Sequence, residues 1–283
     1  MMTSSRDTLY LLVTCSLEPS RARIARRVLE NLQEQDRAWP FFENLLVFDN
    51  GSTQDFGLSE MSAIQKRAKC VRSDRNVGYW TAIDWVLANA SKLMGRDYRY
   101  LYIIESDLIH NDMHRLGEAE VFLNEHPEIG SIRTQEFSVK DKHLYDKNKP
   151  VRGSQKHAWV ALYNAITRED IWFKEADSQK RIFSTNFHTK LPALNRIESL
   201  KGVFSELRAM SDFTEYHLME GYYRRHPVIG LLDGGLFRMD PESLKEETVT
   251  GSYTSGAQLN QVGYHSTRTA QILKEPFEVK RLN

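Results

Sequence analysis

Cysteine is nearly missing from this chain: 283 residues hold two, Cys15 and Cys70, with no Cys-x-x-Cys pair. Nothing therefore points to a zinc site, and two reduced, buried thiols are expected. Net charge is missing as well, because 38 Lys and Arg offset 38 Asp and Glu. Without an overall field, neither nucleic acid nor an anionic membrane is an expected partner. Long apolar runs are also lacking, and none reaches the roughly 18 residues a spanning helix needs. Residues 1–7 are polar and carry no signal-peptide core, so the expected localisation is cytoplasmic. No internal repeat or low-complexity segment is evident.

What is present suits a folded chain. Hydrophobic residues make up 41% and aromatic residues 11%, enough for one large domain or two fused halves. Leu9–Cys15 is a short apolar run, suited to a strand buried on both faces. A helix follows, in which Ile24, Val28 and Leu32 recur every four residues and Arg21, Arg23, Arg26 and Arg27 are expected to be solvated. Leu45–Phe48 predicts a second strand, Cys70-Val71 a third, and Tyr100–Ile104 a fourth. Helices are expected over about 81–92 and 113–124, with a strand over 129–134. Strands alternating with helices predict a doubly wound, mainly parallel α/β sheet.

The second half is less regular. A strand is expected over 158–166, polar irregular chain over 174–192, and a helix marked by Leu194, Ile197, Leu200, Phe204 and Leu207. A helix over 215–225 and a strand over 228–232 follow. Residues 248–263 read as a mobile loop, and the remainder as a polar tail.

In a doubly wound sheet, ligands collect beyond the carboxyl ends of the strands. Three predicted strands end there in polar residues: Thr14-Cys15-Ser16, Asp49-Asn50-Gly51-Ser52 and Glu105-Ser106-Asp107. A carboxylate at Asp49 can accept hydrogen bonds from a nucleobase or ribose, although Asp-Asn-Gly is also an ordinary turn. Asn76-Val77-Gly78 precedes a helix whose free amides favour phosphate, and Arg75 adds a cation. Glu105 and Asp107 follow a strongly apolar strand, where unpaired carboxylates would cost several kcal/mol. Side chains two apart on extended chain face the same way, so both acids suit one hard cation, Mg2+ or Mn2+, of the kind that holds substrate phosphates.

The ordered set Val47–Thr53, Arg75–Tyr79 and Ile103–Asp107 resembles the GT-A glycosyltransferases, especially family 2, across roughly residues 9–135. That resemblance implies a GT-A-like, Rossmann-like sheet with a nucleotide-sugar-binding half at 1–135 and a fused acceptor-binding half at 136–283. It implies a UDP- or GDP-sugar donor, a divalent cation, a carbohydrate or other hydroxyl acceptor, inversion, and a place in polysaccharide biosynthesis. Asp49 would then contact the nucleoside. Glu105-Ser106-Asp107 would stand for the family's DxD motif, with Asp107 the metal ligand and Glu105 one methylene longer than the usual Asp. Ser211-Asp212-Phe213-Thr214-Glu215, with Arg224 and Arg225 later, resembles the segment that carries the catalytic base. Tyr216 departs from the expected acidic pair, so Glu215, Asp212 and Glu169-Asp170 are all candidates. By the same resemblance, His265 would complete the metal site and Arg268 would hold the diphosphate. Trp159, Tyr222 and Tyr223 are candidates for an acceptor groove or for the core.

Two other readings stay open. A sugar-phosphate nucleotidyltransferase uses a similar sheet and metal, although no Gly-rich, Lys-bearing loop follows the first strand. A non-catalytic carbohydrate-binding protein on the same fold is the other.

Overall fold

The computed structural model describes residues 7–55, 58, 62–134, 172–188, 192–213, 215–234, 236–240 and 271–283. The expected strands at 158–166, the loop at 248–263, and Glu169, Asp170, Trp159, His265 and Arg268 lie outside the described residues.

The first strand, β1 (Thr8–Thr14), is buried at all seven positions, as its unbroken apolar run requires in a sheet covered on both faces. Helix α1 (Pro19–Ala38) starts on a proline in its first turn, where a missing N–H costs nothing. It leads to β2 (Leu45–Asp49), then α2 (Ser62–Arg67), β3 (Lys69–Ser73), α3 (Tyr79–Met94) and β4 (Tyr100–Glu105). A short strand β5 (Leu108–His110), helix α4 (Arg115–Glu125) and β6 (Ser131–Thr134) follow. Beyond the undescribed stretch come β7 (Phe173–Asp177), β8 (Ile182–Thr185), β9 (Ala193–Arg196), α5 (Ile197–Ala209) and α6 (Glu215–Arg225). Strands β10 (Ile229–Leu232), β11 (Phe237–Met239) and β12 (Val279–Arg281) complete the order.

Ten strands form one sheet in the order β12-β3-β2-β1-β4-β9-β6-β10-β8-β7, while β11 and β5 form a small antiparallel ladder beside it. β3, β2, β1 and β4 are mutually parallel. β9 runs antiparallel between β4 and β6, so β6 and its parallel neighbour β10 point the same way as β4. Strands from both halves of the chain thus share one continuous sheet.

One apolar layer combines Val28, Leu32, Ile64 and Phe122 from α1, α2 and α4 with one face of the sheet. The other sets Ile83, Val86, Phe204 and Leu218 from α3, α5 and α6 against the opposite face. This is the doubly wound α/β class expected from the alternation of elements. The chain steps from β1 outward to β3, then returns through α3 to place β4 on the other side of β1. That reversal makes the carboxyl ends of β1 and β4 the switch point of the sheet, beyond which folds of this class take their ligands.

Several local expectations need correction. The segment from Phe173 to Thr185 is not irregular, since β7 and β8 form an antiparallel hairpin. β7 is an edge strand that is exposed or half-buried along its length, so its composition is polar and its strand pattern is hidden. Leu194 belongs to β9 rather than to the following helix, which begins at Ile197. β9 is only four residues long and buried between two neighbours; its apolar residues therefore mimic helical spacing. The C-terminal residues are not a loose tail: β12 pairs antiparallel with β3, and Ile272, Leu273 and Phe277 pack on the second apolar layer. No helix among the described residues is long and apolar enough to cross a membrane.

Candidate donor and metal site

The sheet register brings the three polar strand ends together. Thr14 is the rung partner of Asp49, and Val13 that of Glu105. Thr14, Asp49 and Glu105 therefore stand within one rung of each other at a single edge, although 91 positions separate the first from the last in sequence.

Asp49 is fully buried. One carboxylate oxygen accepts the Ser52 N–H at 3.1 Å, and the other is ion-paired with Arg72 at the end of β3. The Arg72 side chain is 42% exposed, so the pair sets a partly exposed arginine above a buried acid. Sequence reasoning missed Arg72. Its signal was the position at the end of the strand next to Asp49.

The Asn50–Ser52 turn interlocks with residues 73–78. Asn50 Oδ1 accepts the Val77 N–H at 2.9 Å, and Asn50 Nδ2 donates to Asn76 Oδ1 at 2.9 Å. Asn76 Oδ1 also accepts the Gly78 N–H at 2.9 Å, which closes a turn rather than capping the helix. Its Nδ2 donates to Cys15 Sγ at 3.3 Å. Gly51 has φ +69 and lies against the Arg75–Asn76 peptide, where a Cβ would fall 2.2 Å from the Arg75 carbonyl carbon. Gly78, at φ 84, precedes α3, and no side chain caps that helix start. The first-turn amides of α3 thus face the same edge. Ser16 donates its N–H to Ser52 Oγ at 2.8 Å, which joins the ends of β1 and β2. Arg75 is turned outward, 3.4 Å from Glu275 in the C-terminal segment.

Cys15 is half-buried rather than fully buried, and Cys70 is buried. Burial, followed by the nearby Asp49 carboxylate, pushes both thiols up to about 12. Neither is poised as a nucleophile.

Glu105 is the last residue of β4 and half-buried, Ser106 is half-buried, and Asp107 is 9% exposed. Carboxylate oxygens are hard ligands, and their chemistry fits Mg2+ or Mn2+. Among the described residues, no set of three His, Cys, Asp or Glu side chains gathers around one point. A cation held here would take its remaining ligands from substrate oxygens, water or other residues.

The segment after the triplet is firmly held. Asp240, directly after β11, is 1% exposed and forked by Arg27, with bonds of 2.8 and 2.5 Å. Its N–H donates to the Asp107 carbonyl at 2.8 Å. Arg27 is thus not a merely solvated position of α1, and the sequence points to no role for Asp240.

His110, in β5, is 1% exposed with Nε2 3.2 Å from the Tyr102 hydroxyl. Burial pushes its pKa down to about 4. The unfolded chain, titrating near 6.5, takes up a proton in this window that the folded chain refuses. Stability should therefore fall as pH drops from about 6.5 towards 4, by up to about 3 kcal/mol from this group. Urea midpoints at neutral and acidic pH measure it. The His110→Gln variant should lose most of that pH dependence, and an unchanged dependence would refute the assignment.

Helix α6 comes to the same edge from the second half. Phe213 is buried and its ring lies 6.1 Å from that of Trp80, in the first turn of α3. Asp212 is exposed beside it. Glu215 opens α6, and its side chain lies outside what the structure describes. Arg224 and Arg225 both pair with Glu206 at 2.6 Å, one helix away. Tyr222 is buried, whereas Tyr223 is 49% exposed. Asp233 and Gly234 form a turn, with Gly234 at φ 78 and Asp233 buried and paired with Arg181 at 3.2 Å.

No protein-family model matches the sequence, and no curated protein matches it. Solved structures similar to the chain include S. aureus TarS 1-349, at 15% identity and TM-score 0.49, with 83% of this chain and 60% of that chain covered. Also similar is glucosyl-3-phosphoglycerate synthase from Mycobacterium tuberculosis, solved in complex with Mn2+, UDP-glucose and phosphoglyceric acid. It shows 13% identity and a TM-score of 0.45, over 86% of this chain and 75% of that one. The chain spans about 60% of the TarS 1-349 length.

Proposed function

We propose that this chain is a glycosyltransferase that moves a sugar from a nucleoside-diphosphate donor to a hydroxyl acceptor. The supporting observation is the convergence of Thr14, Asp49 and Glu105 within one rung at the carboxyl edge of the parallel strands. Residues 1–135 would form the donor half and 136–283 the acceptor half of one continuous domain.

In this reading the nucleoside lies over the ends of β1 and β2, among Thr14, Ser16 and the Asp49–Arg72 pair. Asp49 holds Arg72 in place, and Arg72 offers its outward N–H groups to carbonyl oxygens of the base. The diphosphate lies towards Asn76, Gly78 and the uncapped start of α3, whose amides and partial positive charge favour it. Arg75 swings inward from Glu275 to add charge, and Ser106 supplies a hydroxyl. Asp107, with Glu105 beside it, would hold a Mg2+ or Mn2+ ion, which neutralises charge on the departing diphosphate. The described chain leaves off at Asp240, bonded to the Asp107 carbonyl, and resumes at Gln271, whose carbonyl accepts from Thr81 Oγ1 at 3.4 Å. On the family resemblance alone, His265 is proposed as a metal ligand and Arg268 as a diphosphate contact.

The acceptor hydroxyl must lose a proton as it attacks, and an inverting reaction places the base on the face opposite the leaving group. Glu215, with Asp212 next, is proposed as that base, because Phe213 anchors this stretch to the first turn of α3. The acceptor is proposed to be a carbohydrate. The neighbour's complex with UDP-glucose and Mn2+ makes UDP and Mn2+ the first probes.

A thermal-shift panel of nucleotides, with and without Mn2+, tests the reading. UDP or GDP with Mn2+ should raise the melting temperature by several degrees, since ligand at a hundred times its Kd adds about 2.7 kcal/mol. Metal or nucleotide alone should do less. A flat response to every diphosphate would overturn the proposal. Pyrophosphate release from a nucleoside triphosphate and a sugar phosphate would replace it with nucleotidyl transfer.

A further inference from the structure

Three polar residues of α1, spaced by four and so on one helical face, engage the chain from the acidic triplet onward, Asn31 and Gln35 directly and Arg27 through Asp240. Arg27 forks Asp240, whose N–H holds the Asp107 carbonyl. Asn31 grips both backbone groups of His110: its Oδ1 accepts the N–H at 2.7 Å and its Nδ2 donates to the carbonyl at 2.9 Å. Gln35 Oε1 accepts the Met113 N–H at 3.2 Å. The run from Asp107 to Met113 is thus fastened at every third residue, at 110 and 113 to α1 and at 107 to Asp240, which α1 holds in turn. On its other edge the β11 ladder pairs Met239 with Leu108 and Phe237 with His110.

We infer that this stripe is a clamp that sets the position of Asp107, with Arg27, Asp240 and Asn31 as positioning residues for the divalent-cation site. The inference rests on the reading of Asp107 as a metal ligand. A short turn after a strand end has freedom to rotate, and a carboxylate ligand must be aimed before the ion arrives if affinity is not to be lost to ordering. Here the peptide that follows the Asp107 side chain is pinned through its carbonyl. The fork from Arg27 neutralises Asp240, which is buried one backbone hydrogen bond away. Asp240 is therefore held as a brace rather than offered to the ion.

The test is Mn2+ alone, titrated into the full chain and followed through the electron paramagnetic resonance of the free ion. Arg27→Lys keeps the charge but loses the fork, and Asn31→Ala removes the grip on His110 without leaving a buried charge. Either should weaken Mn2+ binding roughly ten-fold or more, as changes to residues behind metal ligands do. Asn31→Ala leaves the buried His110 backbone without this partner, so a modest fall in the metal-free melting temperature is expected; Mn2+ affinity, read well below that temperature on the folded variant, is what a purely structural role would leave unchanged. Mn2+ affinity within two-fold of the parent in both variants, while Asp107→Asn abolishes binding, would overturn the clamp alone. Undiminished Mn2+ binding by Asp107→Asn would remove the metal reading and the clamp with it.

Discussion

Replacing Asp107 with Asn should lower metal-stimulated turnover of the donor by at least about a hundred-fold. The substitution keeps the shape of the side chain and removes one negative charge from the proposed cation site. Charge stabilisation of a leaving group by a bound ion contributes several kcal/mol, and each 1.36 kcal/mol is a factor of ten in rate. Glu105→Gln should cost less, because the longer, half-buried Glu105 stands at the strand end, while Asp107 stands where the backbone is braced by Asp240. The measurement is release of UDP from UDP-sugars, with and without Mn2+, in parent and variants. Metal-stimulated hydrolysis that survives intact in Asp107→Asn would show that Asp107 does not hold the ion. A preserved melting temperature in the metal-free variant separates loss of chemistry from loss of fold.

Gly51→Ala should be the most destabilising single change at the donor edge, by roughly 3–5 kcal/mol, a size reserved for a few named mechanisms. Two costs add. At φ +69 any Cβ meets its own backbone, for about 1–2 kcal/mol. The same Cβ would also lie 2.2 Å from the Arg75 carbonyl carbon and 2.3 Å from the Asn76 nitrogen. Those are backbone atoms, so relief requires moving the 75–76 peptide. That movement breaks the Asn50–Asn76 and Asn50–Val77 hydrogen bonds that join the two halves of the edge. Gly95 supplies the control: it has φ +75 at the end of α3, but nothing lies within 4 Å of its added Cβ. Gly95→Ala should therefore cost only about 1–2 kcal/mol. Denaturant midpoints with unchanged slopes compare them. Equal losses at the two glycines would show that the contact with Arg75 and Asn76 does not matter.

Much of the first half was legible in the sequence, for a local reason. β1, β2 and β4 are apolar runs buried on both faces, α1 and α3 carry helical periodicity, and the polar residues fall where each strand stops. Those patterns require no knowledge of distant partners, and the α/β class with its polar carboxyl edge follows from them. Cys70 is the buried thiol that the sequence predicts, whereas Cys15 is only half-buried, and only the structure shows that it touches Asn76.

Tertiary structure alone decided the rest, because the deciding contacts join residues far apart along the chain. Arg72 pairs with Asp49 across neighbouring strands, and Asp240 reaches Arg27 across 213 positions. Helical periodicity marks Arg27 as solvent-facing, and no local pattern reveals that a buried carboxylate will arrive there from the other end of the sequence. β9 and the β7–β8 hairpin were hidden for related reasons: one is too short and too buried to alternate, the other too exposed to look apolar. The C-terminal residues read as a polar tail, yet β12 pairs with β3 at the sheet edge and Val279 packs on the second apolar layer. The sequence by itself thus determined which residues end the central strands. The fold decided that those ends share one rung, and that α1 braces the turn carrying Asp107.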